Sequence, residues 1–268
     1  MTGGPDRTGH ATGRTNHLAW RRTGPNPRIV LLHGFTDAGC CWDPWLDAFG
    51  GDVLTVDARG HGDSELPDGP ISAAIQAADV AAVLDAFGRT AGGYVVIGHS
   101  MGAATTAELT RSRPDLVRAA VLEDPRGAAV PAAAVRAVDD WLTAVRAADP
   151  VTALELCRSG NPGWPEPEME PWVRSKRQLD LAVFERPRPA TTSLAEIVRG
   201  VSCPVRLVHG DPERGGIISP QLAEDCVVAA AGAVSRVHVA GAGHNVRRDE
   251  PAAYLAAVRP WVATALAG

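Results

Sequence analysis

The stretch Gly98-His99-Ser100-Met101-Gly102 constrains this chain more than any other. It follows the apolar run Tyr94-Val95-Val96-Ile97, and it precedes Ala103-Ala104-Thr105-Thr106-Ala107-Glu108-Leu109, which reads as a helix. A strand, a sharp turn with a serine at its tip and a helix together make a nucleophile elbow. A turn that tight forces its central residue into strained backbone angles and requires small residues two places before and after it, where Gly98 and Gly102 stand. The strain lifts the hydroxyl clear of the sheet, and the following helix N-terminus favours negative charge beside it.

A serine hydroxyl becomes a useful nucleophile only when a base takes its proton, and histidine titrates in the right range. Of eight histidines, His244 occupies a Gly-rich loop, Ala240-Gly241-Ala242-Gly243-His244-Asn245, between a late strand and the last helix. From there it can reach back over a sheet edge. His99 adjoins Ser100, and adjacent side chains on a sharp turn point apart. A third member, a carboxylate that orients the imidazole, belongs between serine and histidine in chain order. Two places qualify, each at the end of a strand: Asp124 after Ala119-Ala120-Val121-Leu122, and Asp211 or Glu213 after Val205-Arg206-Leu207-Val208. Acyl transfer also needs two backbone N–H donors aimed at the developing oxyanion. Met101, directly after the nucleophile, and Phe35, in His33-Gly34-Phe35 after the buried run Ile29-Val30-Leu31-Leu32, are the expected pair.

The order of elements gives the frame. Residues 1–16 have no apolar period and read as a tail, and His17 to Arg21 as a first, edge strand. Strand–helix alternation then runs to 125, with a short helix expected from Trp42 to Phe49 and a longer one over 71–88. The loop from Asp57 to Ser64 reads as a tight turn held by an internal Asp–Arg pair. From 126 to about 200 the alternation stops, and helical runs over 131–148, 150–158 and 168–184 are broken by prolines. Such an insertion suits a helical lid over the strand ends, in which Trp141, Trp164 and Trp172 either line an apolar pocket or fix the lid to the body. After Pro204 the alternation resumes to the end of the chain.

These motifs resemble the α/β-hydrolase fold superfamily, through Leu32-His33-Gly34-Phe35, the Asp57–Ser64 loop, the Ser100 elbow and Gly243-His244. The resemblance implies an α/β architecture with a mostly parallel sheet flanked by helices. The core would comprise 17–125 and 201–268, and a helical cap, 126–200, would be inserted after the strand following the elbow. Most similar members carry the acid in a Gly-x-x-Asp pattern after the post-cap strand, where this chain has Gly210-Asp211-Pro212-Glu213. A minority, including haloalkane dehalogenases and zearalenone lactonases, carry it after the strand that follows the elbow, and Asp124 stands at that place. Asp124 is therefore favoured. The implied activity is that of a serine esterase or lactonase on a small, largely apolar substrate. Thioesterase, C–C bond or small-peptide hydrolysis and a non-hydrolytic ligand-binding or cyclase-type role are the alternatives.

Composition excludes other classes. A net charge of −5 provides no basic face for nucleic acid or anionic membrane. No 18-residue apolar span and no signal-peptide pattern occur, so a cytoplasmic location is expected, as a monomer or homodimer. Five cysteines at irregular spacing suit neither a disulfide framework nor a metal site and read as packing residues. No glycine-rich phosphate motif calls for a nucleotide cofactor, so a small-molecule substrate and no cofactor are expected.

Overall fold

The computed structural model describes residues 10–88, 92–126, 141–189 and 192–268. Eight strands form one sheet: β1 (Ala11–Thr15), β2 (Leu18–Arg22), β3 (Ile29–Leu32), β4 (Val53–Val56), β5 (Tyr94–His99), β6 (Val117–Glu123), β7 (Val205–His209) and β8 (Val234–His238), in the order β1-β2-β4-β3-β5-β6-β7-β8. The β1/β2 and β2/β4 pairs are antiparallel; every other pair is parallel. The central strands β3, β4 and β5 are buried along their whole length, because helices cover both faces and leave no side of the strand for polar residues.

One face is covered by α1 (Ala73–Phe87), α2 (Met101–Ser112), α6 (Leu194–Arg199) and α7 (Pro220–Ala229), which pack with Val30, Leu54, Val96 and Leu122. The other face is covered by a 3-10 turn, Gly39–Trp45, and by α9 (Pro251–Ala267), which enclose Leu31, Val95, Ile97 and Val121. Between β6 and β7 lie α3 (141–147), α4 (Pro150–Gly160) and α5 (Met169–Gln178), and a short α8 (Val246–Asp249) precedes α9. Among the described residues no helix is long and apolar enough to cross a membrane, and no cluster of side chains suits a metal ion. All five cysteines are free thiols.

Five expectations need correction. Residues 11–15 are not tail but the edge strand β1, which makes β2 the second strand; residues 1–9 lie outside the description. Asn16 takes a positive φ of 50° in a two-residue hairpin turn. Trp20 then lies over Gly13 and donates its indole N–H to Thr15 Oγ1 at 3.2 Å. The expected helix at Trp42–Phe49 is the 3-10 turn Gly39–Trp45, because Pro44 cannot donate to a helical ladder. The Asp57–Ser64 loop has no internal Asp–Arg pair. Arg59 instead binds Asp79 on α1, while Asp57 accepts the N–H groups of Gly39 and Asp63. Finally, the expected cap boundary at 200 is too late, since Leu194, Ile197 and Val198 of α6 belong to the core beneath the sheet. The expected run over 168–184 divides into α5 and a 3-10 turn at Leu181–Phe184, and residues 127–140 lie outside the description.

Candidate active site

Every side chain singled out for chemistry hangs from the C-terminal end of a parallel strand, where ligands of open α/β sheets gather. Ser100 follows β5 and opens α2 with φ 53° and ψ −112°, the left-handed strain that the elbow demands. The small flanking residues have a steric cause. A Cβ on Gly98 would stand 2.3 Å from the Gly102 carbonyl oxygen, and one on Gly102 would stand 2.3 Å from that of Leu32. The helix start thus presses directly on the ends of β5 and β3.

His244 reaches Ser100 from the loop after β8, with Nε2 at 2.9 Å from the hydroxyl. Its other ring nitrogen, Nδ1, lies 2.6 Å from Asp124 Oδ2. Asp124 is wholly buried at the end of β6, with a positive φ of 40°. Its two oxygens accept the backbone N–H groups of Ile217 and Ile218 at 2.8 and 3.1 Å. These two bonds fix the direction of the buried carboxylate. Asp211 lies elsewhere: it accepts Gly241 N–H and meets His238 Nε2 at 2.6 Å. Glu213 sits in the 3-10 turn Pro212–Arg214 and is exposed. The structure therefore brings Ser100, His244 and Asp124 together and leaves Asp211 and Glu213 outside.

The loop after β3 runs alongside. A Cβ on Gly34 would stand 2.7 Å from His99 Nδ1 and 3.3 Å from Ser100 Cβ, so glycine lets the chain pass close beside the elbow. The N–H groups of Phe35 and Met101 donate to no other described residue, and both residues adjoin Ser100. His99 does more than flank the serine. Its Nε2–H donates to the His244 carbonyl at 3.1 Å, tying the histidine loop to the elbow. Burial and the nearby Arg247 and His244 push the His99 pKa well down, so the ring stays neutral.

Ser100 opens into a cavity of about 620 Å³. Trp141, Trp164 and Trp172 all line it, together with Phe35, Leu156 and Ile217. Trp141 and Trp172 stack with centroids 5.4 Å apart, while Trp164 also donates to Asp249 Oδ1 at 2.8 Å. The tryptophans thus both line the pocket and fasten the overlying segment. Residues 141–189 are held to the body by a buried charge network that the sequence reading missed. Lys176 of α5 donates to Asp37 and to the Thr36 carbonyl, and Arg248 of α8 joins the same carboxylate at 3.1 Å. Arg248 also binds Glu168, and Arg247 binds Glu123. Burial would raise the Asp37 pKa, but Arg248, Lys176 and Arg247 outweigh it and hold the carboxyl well below its usual range. Charged residues on a helical period ordinarily read as a solvated face; the one available signal is that Arg247 and Arg248 closely follow His244.

Comparison with known proteins gives the family and the fold. Residues 29–258 match the family described as the alpha/beta hydrolase family. The chain is 32% identical over 108 residues to 2-(acetamidomethylene)succinate hydrolase of Mesorhizobium japonicum, covering 39% of this chain and 37% of that protein. It is 34% identical over 113 residues to an esterase of Mycobacterium tuberculosis, covering 42% and 37% respectively. The sequence match thus spans little more than a third of the length of these relatives. The crystal structure of E-2-(acetamidomethylene)succinate hydrolase superimposes with a TM-score of 0.74 at 21% identity, over 95% of this chain and 99% of that one, a likeness of fold.

Proposed function

Since the chain belongs to the alpha/beta hydrolase family, we propose that it is a serine hydrolase that cleaves a small carboxylic ester or lactone through an acyl-enzyme intermediate. One observation carries the reading: the continuous line from Ser100 Oγ through His244 to the buried Asp124, with separations of 2.9 and 2.6 Å. His244 Nε2 takes the hydroxyl proton as Oγ attacks the carbonyl carbon. The imidazolium that forms is stabilised by Asp124, whose own position is fixed by Ile217 and Ile218 N–H. The oxyanion accepts the free N–H groups of Phe35 and Met101, where each donor contributes on the order of 10²-fold or more in rate. His244 then returns its proton to the departing alcohol. A water deprotonated by the same nitrogen attacks the acyl carbon and frees the acid and Ser100.

The aromatic wall of Trp141, Trp172 and Phe35 supports an apolar body on the substrate. The name of the Mycobacterium tuberculosis relative, an esterase, favours ester cleavage over the other reactions of the fold. Turnover of p-nitrophenyl esters and of lactones of graded acyl length tests the reading, with Ser100→Ala as control. Ester turnover lost in that variant supports it, and turnover that Ser100→Ala leaves intact overturns it.

A further inference from the structure

Among the described residues, the cavity at Ser100 carries one cation more than its carboxylates pair. Of the four charged side chains that line it, Lys176 and Arg248 share Asp37, and Arg248 also holds Glu168. The fourth, Arg126, is half-buried and has no carboxylate among the described residues within ion-pair reach. It stands immediately after Asp124-Pro125, and its backbone N–H donates to the Ser100 carbonyl at 3.3 Å. Its guanidinium is thus based within one side-chain length of the nucleophile.

A second guanidinium packs on Phe35, another residue that lines the cavity. Arg188 sits 5.1 Å over the Phe35 ring, with Nη2 donating to the Val183 carbonyl at 2.8 Å, and it too lacks a carboxylate among the described residues. Burial and the positive charge of Arg188 both work against the charged form of Arg126 and lower its pKa. Two guanidinium groups, partly desolvated and with no carboxylate partner among the described residues, are unfavourable side by side. An anion between them would relieve both the repulsion and the lost hydration. A guanidinium fork matches a carboxylate in shape as well as charge.

We propose that Arg126, supported by Arg188, binds a carboxylate of the substrate, so that the hydrolase reading narrows to esters whose acyl group carries a second, free carboxyl group. The monoester of a short dicarboxylic acid is the class that fits. Its ester carbonyl meets Ser100, its carboxylate meets Arg126, and the alcohol portion lies against the tryptophans. The inference rests on the serine-hydrolase reading, yet its anion site is measurable without turnover.

The test compares the p-nitrophenyl monoester of glutaric acid with p-nitrophenyl butyrate, in the wild type, Arg126→Gln and Arg126→Lys, with thermal melts to confirm folding. The wild type should prefer the anionic ester. Arg126→Gln should lower the anionic-to-neutral ratio of kcat/KM by about tenfold or more, mainly through KM, and Arg126→Lys should restore part of it. A ratio that Arg126→Gln leaves unchanged overturns the proposal. Calorimetric titration with glutarate separates the two readings. If neither ester is turned over, the hydrolase reading fails, while glutarate binding that Arg126→Gln weakens still upholds the anion site. Absence of glutarate binding to the wild type overturns it.

Discussion

The carboxylate of Asp124 lies 2.6 Å from Nδ1 of His244, although 120 residues of chain separate the two. Both sit at ends of parallel strands, β6 and β8, and β7 runs between them. Each Asp124 oxygen also receives an N–H group from the chain after β7. The acid is therefore braced by the strand that stands between it and its histidine.

The first prediction concerns that acid. Asp124→Asn keeps the shape but cannot hold the imidazole in the working tautomer or stabilise its cation. Its kcat on a p-nitrophenyl ester should fall on the order of 10³–10⁴-fold. Asp211→Asn, which loosens only His238 and Gly241, should stay within a few-fold of the wild type. The opposite ranking of these two variants would assign the acid to Asp211.

The elbow glycines make a stability prediction. In Gly102→Ala the new Cβ meets the backbone oxygens of Leu32 and His33 at 2.3 and 2.6 Å, and backbone cannot yield as a side-chain tip can. The variant should lose about 1–3 kcal/mol, seen as a lower thermal midpoint together with lower activity. Gly163→Ala, where a Cβ meets nothing within 4 Å, should melt as the wild type does.

The Asp37 network makes another. Lys176→Met removes one of the cations that neutralise a buried carboxylate, and such a loss typically costs about 3 kcal/mol or more. For a chain of this size the thermal midpoint should drop by roughly 6–12 °C. A midpoint equal to that of the wild type would mean that Lys176 does not fasten α5 to the body.

Acid should weaken the fold through His61. Burial and the nearby His33 push its pKa from 6.5 down to about 3. The native ring thus stays neutral while the unfolded one gains a proton below about pH 6.5. Its stabilising effect is complete above that pH and is lost steadily as pH falls toward 3, amounting to about 2 kcal/mol by pH 5. Urea midpoints at pH 8 and pH 5 should therefore diverge less in His61→Gln than in the wild type. Equal divergence would show that His61 does not govern the acid limb.

Much of the frame is legible in the chain because its signals are local. Buried parallel strands read as unbroken apolar runs, and the elbow needs glycines at fixed places. The edge strand Ala11–Thr15 escapes notice because its partner is Trp20, and nothing within the segment itself has an apolar period. The 3-10 turn at Gly39–Trp45 mimics an amphipathic helix until Pro44 is weighed. The charged residues are the least legible. Lys176, Arg247 and Arg248 are ordinary surface types, and only tertiary pairing with Asp37, Glu123 and Glu168 buries them. Arg126 is legible only as the residue after Asp124-Pro125, and its lack of a carboxylate among the described residues is a fact of three dimensions.

The central claim is that Ser100 is a nucleophile activated by His244. The most direct measurement is intact mass after exposure to a fluorophosphonate, whose fluoride is displaced by an activated serine oxygen. One adduct in the wild type, mapped to Ser100 by peptide mass and absent from Ser100→Ala and from His244→Ala, is the predicted result. A wild-type chain that stays unlabelled, or an adduct that persists in Ser100→Ala, would contradict it.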